Sequence, residues 1–223
     1  MIANGNHTRD TPPEEGGRWP VSVVLRPPTD SPLSRTLDHL TTEAAALAGD
    51  GHWQTGQLGS AHLTVRALEL YRPTVDPDEP AIKRYRSAMD RAATGPARVE
   101  VTGLTLTPGT VMACAVPLDD QADLFMDQLR FELGADAWHE LPYGRRDIWY
   151  LNLLHFTADI PNPARLIDWV RANRETACGE VTIDKAELVR FWHAPAGSRP
   201  LVRPEVLGST YLRNRFRGGN LAE

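Results

Sequence analysis

The sequence predicts an α+β protein of two similarly ordered lobes. Three observations carry that expectation: strand-like and helix-like apolar periods alternate along the chain, a two-stranded hairpin interrupts them near the middle, and the second half has an order of elements like that of the first. At 223 residues the chain is long enough for one large domain or two tightly joined lobes with a sizeable core. The longest apolar runs, Val21 to Leu25 and Val111 to Val116, fall far short of the ~20 residues that span a bilayer, so no membrane contact is expected.

Residues 1 to 19 hold a Pro-Pro-Glu-Glu-Gly-Gly run and no apolar period, and are read as a flexible tail outside the fold. Val21 to Leu25 is a β-rich first strand stopped by Pro27-Pro28. Ser31-Pro32 opens a helix whose stripe is Leu33, Leu37, Leu40, Ala44 and Leu47 and which ends near Gly49. Ala61 to Leu70 is the next strand. Asp78-Glu79-Pro80 starts a second helix with Ile82, Tyr85, Met89 and Ala92 on one face, ending at Gly95-Pro96. Arg98 to Leu106 and Val111 to Val116 form a hairpin around Pro108-Gly109. Asp119-Asp120 leads into a third helix through Leu133, Trp149 to Ala158 is a strand, and Pro163 starts a helix carrying Leu166, Ile167, Trp169 and Val170. Val181 to Trp192, as one long or two shorter strands, closes the pattern. The two-lobed domain is thus assigned to residues 20–195, with 196–223 as a partly flexible extension.

Composition narrows the function classes. With 41% hydrophobic and 24% charged residues the chain reads as an ordinary soluble protein. A net charge of −5 argues against wrapping a long duplex nucleic acid through a basic face, while a small anionic ligand remains compatible. Lys83 and Lys185 are the only lysines, so nearly all positive charge is arginine, whose planar fork suits phosphate, although genomic base composition gives the same bias. Cys114 and Cys178 have no CxxC spacing and are read as reduced structural residues, with no disulfide framework and no thiolate metal cage. The N-terminus lacks the charged start and apolar stretch of a secretory signal, so a cytoplasmic protein is expected.

One motif recurs once per half. Ala61-His62-Leu63-Thr64-Val65 and Leu154-His155-Phe156-Thr157-Ala158 both fall in expected strands, where side chains alternate, so each His shares a face with the Thr two positions on. Composition alone gives roughly 0.6 His-x-Thr triplets in a shuffled chain, so the triplet by itself is weak. His39-Leu40-Thr41 is a third copy, but it lies in a helical pattern that points His and Thr apart. Strand period, an apolar residue between His and Thr, and one copy per half separate the other two from it.

These two tetrads, His62-Leu63-Thr64-Val65 and His155-Phe156-Thr157-Ala158, resemble the paired HxTx signature of the 2H phosphoesterase superfamily, which includes 2′-5′ RNA ligase-like proteins and cyclic phosphodiesterases. The element order from about residue 21 to 193 is similar to that family's two-lobed, pseudo-twofold fold, in which the tetrads face each other across a central cleft. The resemblance implies a metal-independent enzyme, without cofactor, that cleaves or in reverse ligates a 2′,3′-cyclic phosphate or 2′-5′ phosphodiester. Its partner would be a small phosphorylated nucleotide or an RNA terminus, and a monomer is expected. Members close to RNA ligases often carry Arg soon after the second tetrad, whereas this chain continues Ala158-Asp159-Ile160.

The residue types suit that chemistry. Phosphodiester cleavage needs a base for the attacking oxygen and an acid for the departing one, and two imidazoles with ordinary pKa near ~6.5 can hold opposite roles at neutral pH. His62 and His155 are the expected acid–base pair. Thr64 and Thr157 are expected to donate to the non-bridging oxygens, where charge is held in the transition state. No third ligand stands at zinc spacing beside either tetrad. Arg66, four residues after His62 and on the same expected face, is a candidate phosphate contact; its plainer reading is pairing with Glu69 or solvent. Arg145, Arg146 and Tyr143 are candidates for the rim, Trp149 for stacking on a base, and Arg213, Arg215 and Arg217 for a solvated end. His52, His139 and His193 have no partner motif. The alternative function is a non-catalytic nucleotide- or RNA-binding module using the same cleft.

Overall fold

The computed structural model describes residues 2–196 and 199–213. The order is β1 (Val21–Leu25), α1 (Pro32–Ala48), β2 (Trp53–Gln54), β3 (Leu63–Glu69), α2 (Pro80–Ala92), β4 (Ala97–Leu106), β5 (Thr110–Pro117), α3 (Gln121–Leu133), a 3-10 segment (Gly134–Tyr143), β6 (Trp149–His155), α4 (Pro163–Ala172), β7 (Ala177–Ile183), β8 (Lys185–Ala196) and β9 (Arg199–Tyr211). The mixed α+β class is therefore as the sequence implies.

Local chemistry explains the helices. At the start of α1 the Ser31 hydroxyl accepts the Ser34 N–H at 3.1 Å, Pro32 occupies the first turn, and Gly49 ends the helix at φ 95°. The face carrying Leu33, Leu37, Leu40, Thr41, Ala44 and Ala48 is buried. Asn162 caps α4 in the same way, accepting from Arg165 N–H at 3.1 Å.

The strands run β2-β9-β8-β1-β3-β6-β5-β4-β7, antiparallel throughout except for the short β2–β9 pairing. Two four-stranded halves are visible in that order, β9-β8-β1-β3 and β6-β5-β4-β7. They join through one residue pair, Leu63 with Leu151. Helices α1 and α4 pack on the second half, and α2 packs on β8, β9 and α3. Beyond the Leu63–Leu151 pair the edges of β3 and β6 separate, and β2 spans the gap by pairing Trp53 with His155 and Gln54 with Leu154.

The N-terminal segment departs from the sequence reading, and residues 199–211 hold a strand that it did not anticipate. The N-terminal residues expected to be a loose tail cross the molecule: Thr8 N–H donates to Pro108 O at 2.8 Å, Asp10 N–H to Phe156 O at 2.7 Å and Gly16 N–H to Tyr71 O at 2.9 Å. His7, Asp10 and Trp19 are buried, so isolated polar and aromatic residues, too sparse to make a period, hold the segment in place. The expected C-terminal extension supplies β9, paired with β8 along its length. Its polar and Pro-interrupted sequence hides a strand that is paired on one side along its length. Arg213 lies over the Tyr211 ring, and Arg215 and Arg217 fall outside the described residues. No helix among the described residues is long and apolar enough to cross a membrane.

The loop between β2 and β3 is tight at Gly56, whose N–H, like that of Thr55, donates to Leu153 O. A Cβ there would lie 2.2 Å from Thr41 Oγ1 and 2.6 Å from Leu153 Cδ2. Gly56→Ala is therefore expected to cost about 1–3 kcal/mol by overpacking. Gly109→Ala, whose Cβ meets nothing closer than Thr8 Cβ at 3.7 Å, is expected to stay within about 0.5 kcal/mol of the parent. Urea denaturation of both variants checks the difference; equal midpoints would contradict the packing at Gly56.

Candidate active site

The gap between the halves holds a cavity of about 160 Å³. His62 reaches it from the residue just before β3, Thr64 from β3 and His155 from the end of β6. Tyr150 and Asn152 of β6, Ser22 of β1, Ala67 of β3 and Phe191 of β8 complete the sheet side, while Arg18 and Trp19 close it from the N-terminal segment and Arg146 from the loop before β6.

Two irregularities in strand pairing decide which side chains face the cavity. In β3 the partners of Val23 and Val24 are Arg66 and Thr64, so Val65 is an extra residue and the alternation changes side. Thr64 and then Ala67 face the cavity, and Arg66 faces away. In β6 the partners of Val111 and Met112 are Leu154 and Asn152, so Leu153 is extra and His155 joins Tyr150 and Asn152. The same change leaves Trp149 in the core, with Nε1 donating to Asp123 at 3.1 Å, rather than beside a ligand.

The expected phosphate contact at Arg66 is thereby corrected. Its guanidinium is buried, donates to Ala137 O at 2.9 Å and lies 3.8 Å from Glu140, which ties β3 to the 3-10 segment. Thr157 is also displaced from its expected role. β6 ends at His155, so strand alternation does not reach Thr157, and its hydroxyl donates to Gly51 O at 2.6 Å instead of lining the cavity. Arg145 pairs with Asp127 at 3.0 Å, whereas Arg146 does line the cavity, 3.0 Å from Glu140. His39 stands on exposed α1 surface, 3.6 Å from Glu43.

Both cavity histidines are held by Nδ1. His62 Nδ1–H donates to Ser60 O at 2.7 Å, leaving Nε2 for a ligand. Burial pushes the His62 pKa down to about 4, with the Ser60 carbonyl opposing and the positive charge of a protonated His155 or of Arg26 adding to the fall. His155 Nδ1–H donates to the Asp10 carboxylate at 2.7 Å, and the Trp19 ring covers it with centroids 4.6 Å apart. Burial also lowers the His155 pKa, but here a hydrogen-bonded carboxylate pulls the other way. Asp10 in turn pairs with Arg18.

Sequence reasoning missed Asp10, Arg18 and Trp19, because a single carboxylate or ring in a Pro- and Gly-rich stretch carries no spacing signal. It also passed over His52. That residue is buried, donates from Nε2 to Ala48 O at 3.1 Å and accepts the Thr157 N–H on Nδ1 at 3.1 Å, so it anchors the residues after His155 as a neutral imidazole. His7 grips the same turn by donating to Ala158 O at 2.8 Å. Among the described residues no group of three His, Cys, Asp or Glu is placed to hold a metal ion.

Comparison with known proteins places the fold. No protein-family model and no curated protein matches the sequence. Solved structures do match: TT0787 of Thermus thermophilus at 18% identity and TM-score 0.63, covering 87% of this chain and 98% of that one. E. coli LigT complexed with 3′-AMP matches at 12% identity and TM-score 0.60, with 87% and 98% covered. A protein described as a phosphoesterase matches at 11% identity and TM-score 0.56, with 88% and 99% covered. The chain thus has the LigT-like fold that its two tetrads imply through their resemblance to 2H phosphoesterases.

The buried histidines set a pH dependence of stability. His52, His62 and His155 all have pKa values below the ~6.5 of an unfolded chain, so below that pH the unfolded state binds more protons. Stability is expected to fall as pH drops from about 7 toward the value near 4 of His62. Thermal melts between about pH 7.5 and 4.5 check this, with His62→Asn, which cannot take up the proton, showing a shallower fall. A wild-type melting temperature that rises on acidification would contradict the burial of these imidazoles.

Proposed function

We propose that the protein is a metal-independent phosphoesterase of the 2H type, acting on a 2′,3′-cyclic phosphate or 2′-5′ phosphodiester of a nucleotide or RNA end. The observation that carries this reading is the convergence of His62, Thr64 and His155 from two different halves on one cavity. The lining chemistry suits a phosphorylated ligand: Arg18 and Arg146 offer forks for phosphate, and Tyr150 offers a ring for a base. LigT, which shares the fold, has been solved with 3′-AMP, ATP, NADP+ and phosphate.

Hydrolysis of a cyclic phosphate then proceeds as follows. Water attacks phosphorus and gives its proton to Nε2 of His62, the imidazole that burial keeps neutral. The bond from phosphorus to one ribose oxygen breaks, and that oxygen takes a proton from Nε2 of His155. Thr64 donates to a non-bridging oxygen as negative charge builds. With the 5′-hydroxyl of a second end attacking in place of water and the 3′-oxygen leaving, the same two proton transfers join the ends through a 2′-5′ bond.

A second reading, a nucleotide-binding module without turnover, is favoured by one observation: the Thr157 hydroxyl is spent on Gly51 O, so only one of the two threonines is available to the cavity. Kinetics separate the two. Turnover of a 2′,3′-cyclic nucleotide is expected to be bell-shaped in pH, to survive EDTA, and to fall ~10²-fold or more in His62→Ala and in His155→Ala, with His39→Ala near wild type. Thr64→Val lowers kcat more than affinity, and Thr157→Val lowers stability by about 1 kcal/mol through its lost bond to Gly51. Calorimetric nucleotide binding with no product from the wild-type protein would establish the binder instead.

A further inference from the structure

We propose that Asp10, delivered by the N-terminal segment, is a positioning residue that accepts the Nδ1–H of His155, fixing the ring's orientation and favouring the protonated imidazole whose Nε2 proton goes to the leaving oxygen. The inference rests on the phosphoesterase reading for its chemistry, and on this chain's own geometry for the contact.

Asp10 is placed by several independent bonds. Its N–H donates to Phe156 O at 2.7 Å, the residue next to His155, and Thr8 N–H two positions earlier donates to Pro108 O at 2.8 Å. One carboxylate oxygen receives His155 Nδ1–H at 2.7 Å, and the other receives Arg18. The Asp10 and His155 side chains are each only 4% exposed. A carboxylate this deeply buried is costly unless it is paired, and the pairing found here points at one nitrogen of one cavity histidine. His62 has no such partner: its Nδ1 meets a neutral backbone carbonyl. The two imidazoles thus differ in the acceptor that each Nδ1–H meets, a carboxylate at His155 and a neutral carbonyl at His62.

The charged and titratable groups that face His155 are few. Asp10 favours its protonated form, Arg18 disfavours it, and His62 stands across the cavity. Trp19 covers the ring without charge. Asp10 and Arg18 therefore act on His155 with opposite sign, which a purely structural role for the segment does not require.

That opposition supplies the test. In the full-length protein, long-range proton–nitrogen NMR of the imidazoles reads the protonation of His155 directly, and turnover of a 2′,3′-cyclic nucleotide reads the alkaline limb of activity. Asp10→Asn is expected to lower the His155 midpoint and the alkaline limb by about one pH unit or more, and to reduce kcat ~10-fold or more with little change in KM. Arg18→Gln, which keeps Asp10 and serves if Asp10→Asn does not fold, is expected to shift both upward. A wild-type spectrum without an Nδ1 proton on His155 would overturn the proposal. So would shifts of the same sign in both variants, or an unmoved midpoint in Arg18→Gln. Absence of turnover by the wild-type protein would remove the phosphoesterase reading alone, because the NMR midpoints still decide the role of Asp10.

Discussion

The two halves of the sheet share one pair of residues, Leu63 and Leu151, and the rest of the molecule is arranged around that narrow seam. A wider ladder between β3 and β6 would close the space into which His62 and His155 project. A seam with no pairing would leave the halves free to move apart. One bridging pair, reinforced by the two residues of β2 and by the N-terminal segment laid across both halves, keeps a gap of fixed width lined by strand residues. Strands are stiff platforms, so His155 at the end of β6 and His62 just before β3, pinned by Ser60 O, are held close to the seam.

The hydrogen-bond acceptors then differentiate two buried, chemically identical side chains. Each imidazole gives its Nδ1 proton to an acceptor, a backbone carbonyl for His62 and a carboxylate for His155. The acceptors differ in charge, and in a poorly solvated site that difference is amplified. In the proposed reading the carboxylate favours the acid role for His155 and leaves His62 the base role, provided the N-terminal segment remains docked. Function in this reading depends on a stretch of chain that contributes little apolar surface.

Much of the frame was legible in the sequence. Ser31-Pro32, Pro80, Pro163 and the stripes behind them mark α1, α2 and α4, and Pro108-Gly109 marks the hairpin, because caps and turns are local chemistry. The HxTx pair marked His62, Thr64 and His155, which the structure brings together. What failed was parity and context. The extra residues Val65 and Leu153 turn Arg66 and Trp149 away from the cavity, and nothing in either residue type announces a bulge. Thr157 lies past the end of its strand, where alternation no longer applies. The N-terminal segment and β9 were set aside because their few buried side chains form no period, although Asp10 and Trp19 prove to touch His155.

The most direct measurement of the central claim is an experimental structure of the protein with inorganic phosphate or a 3′-nucleotide bound. The account predicts one phosphoryl group between the halves, with Nε2 of His62 and Nε2 of His155 both within about 3.2 Å of its oxygens and the Thr64 hydroxyl donating to it. A phosphoryl group bound elsewhere, or held by one histidine while the other stays turned away, would contradict it.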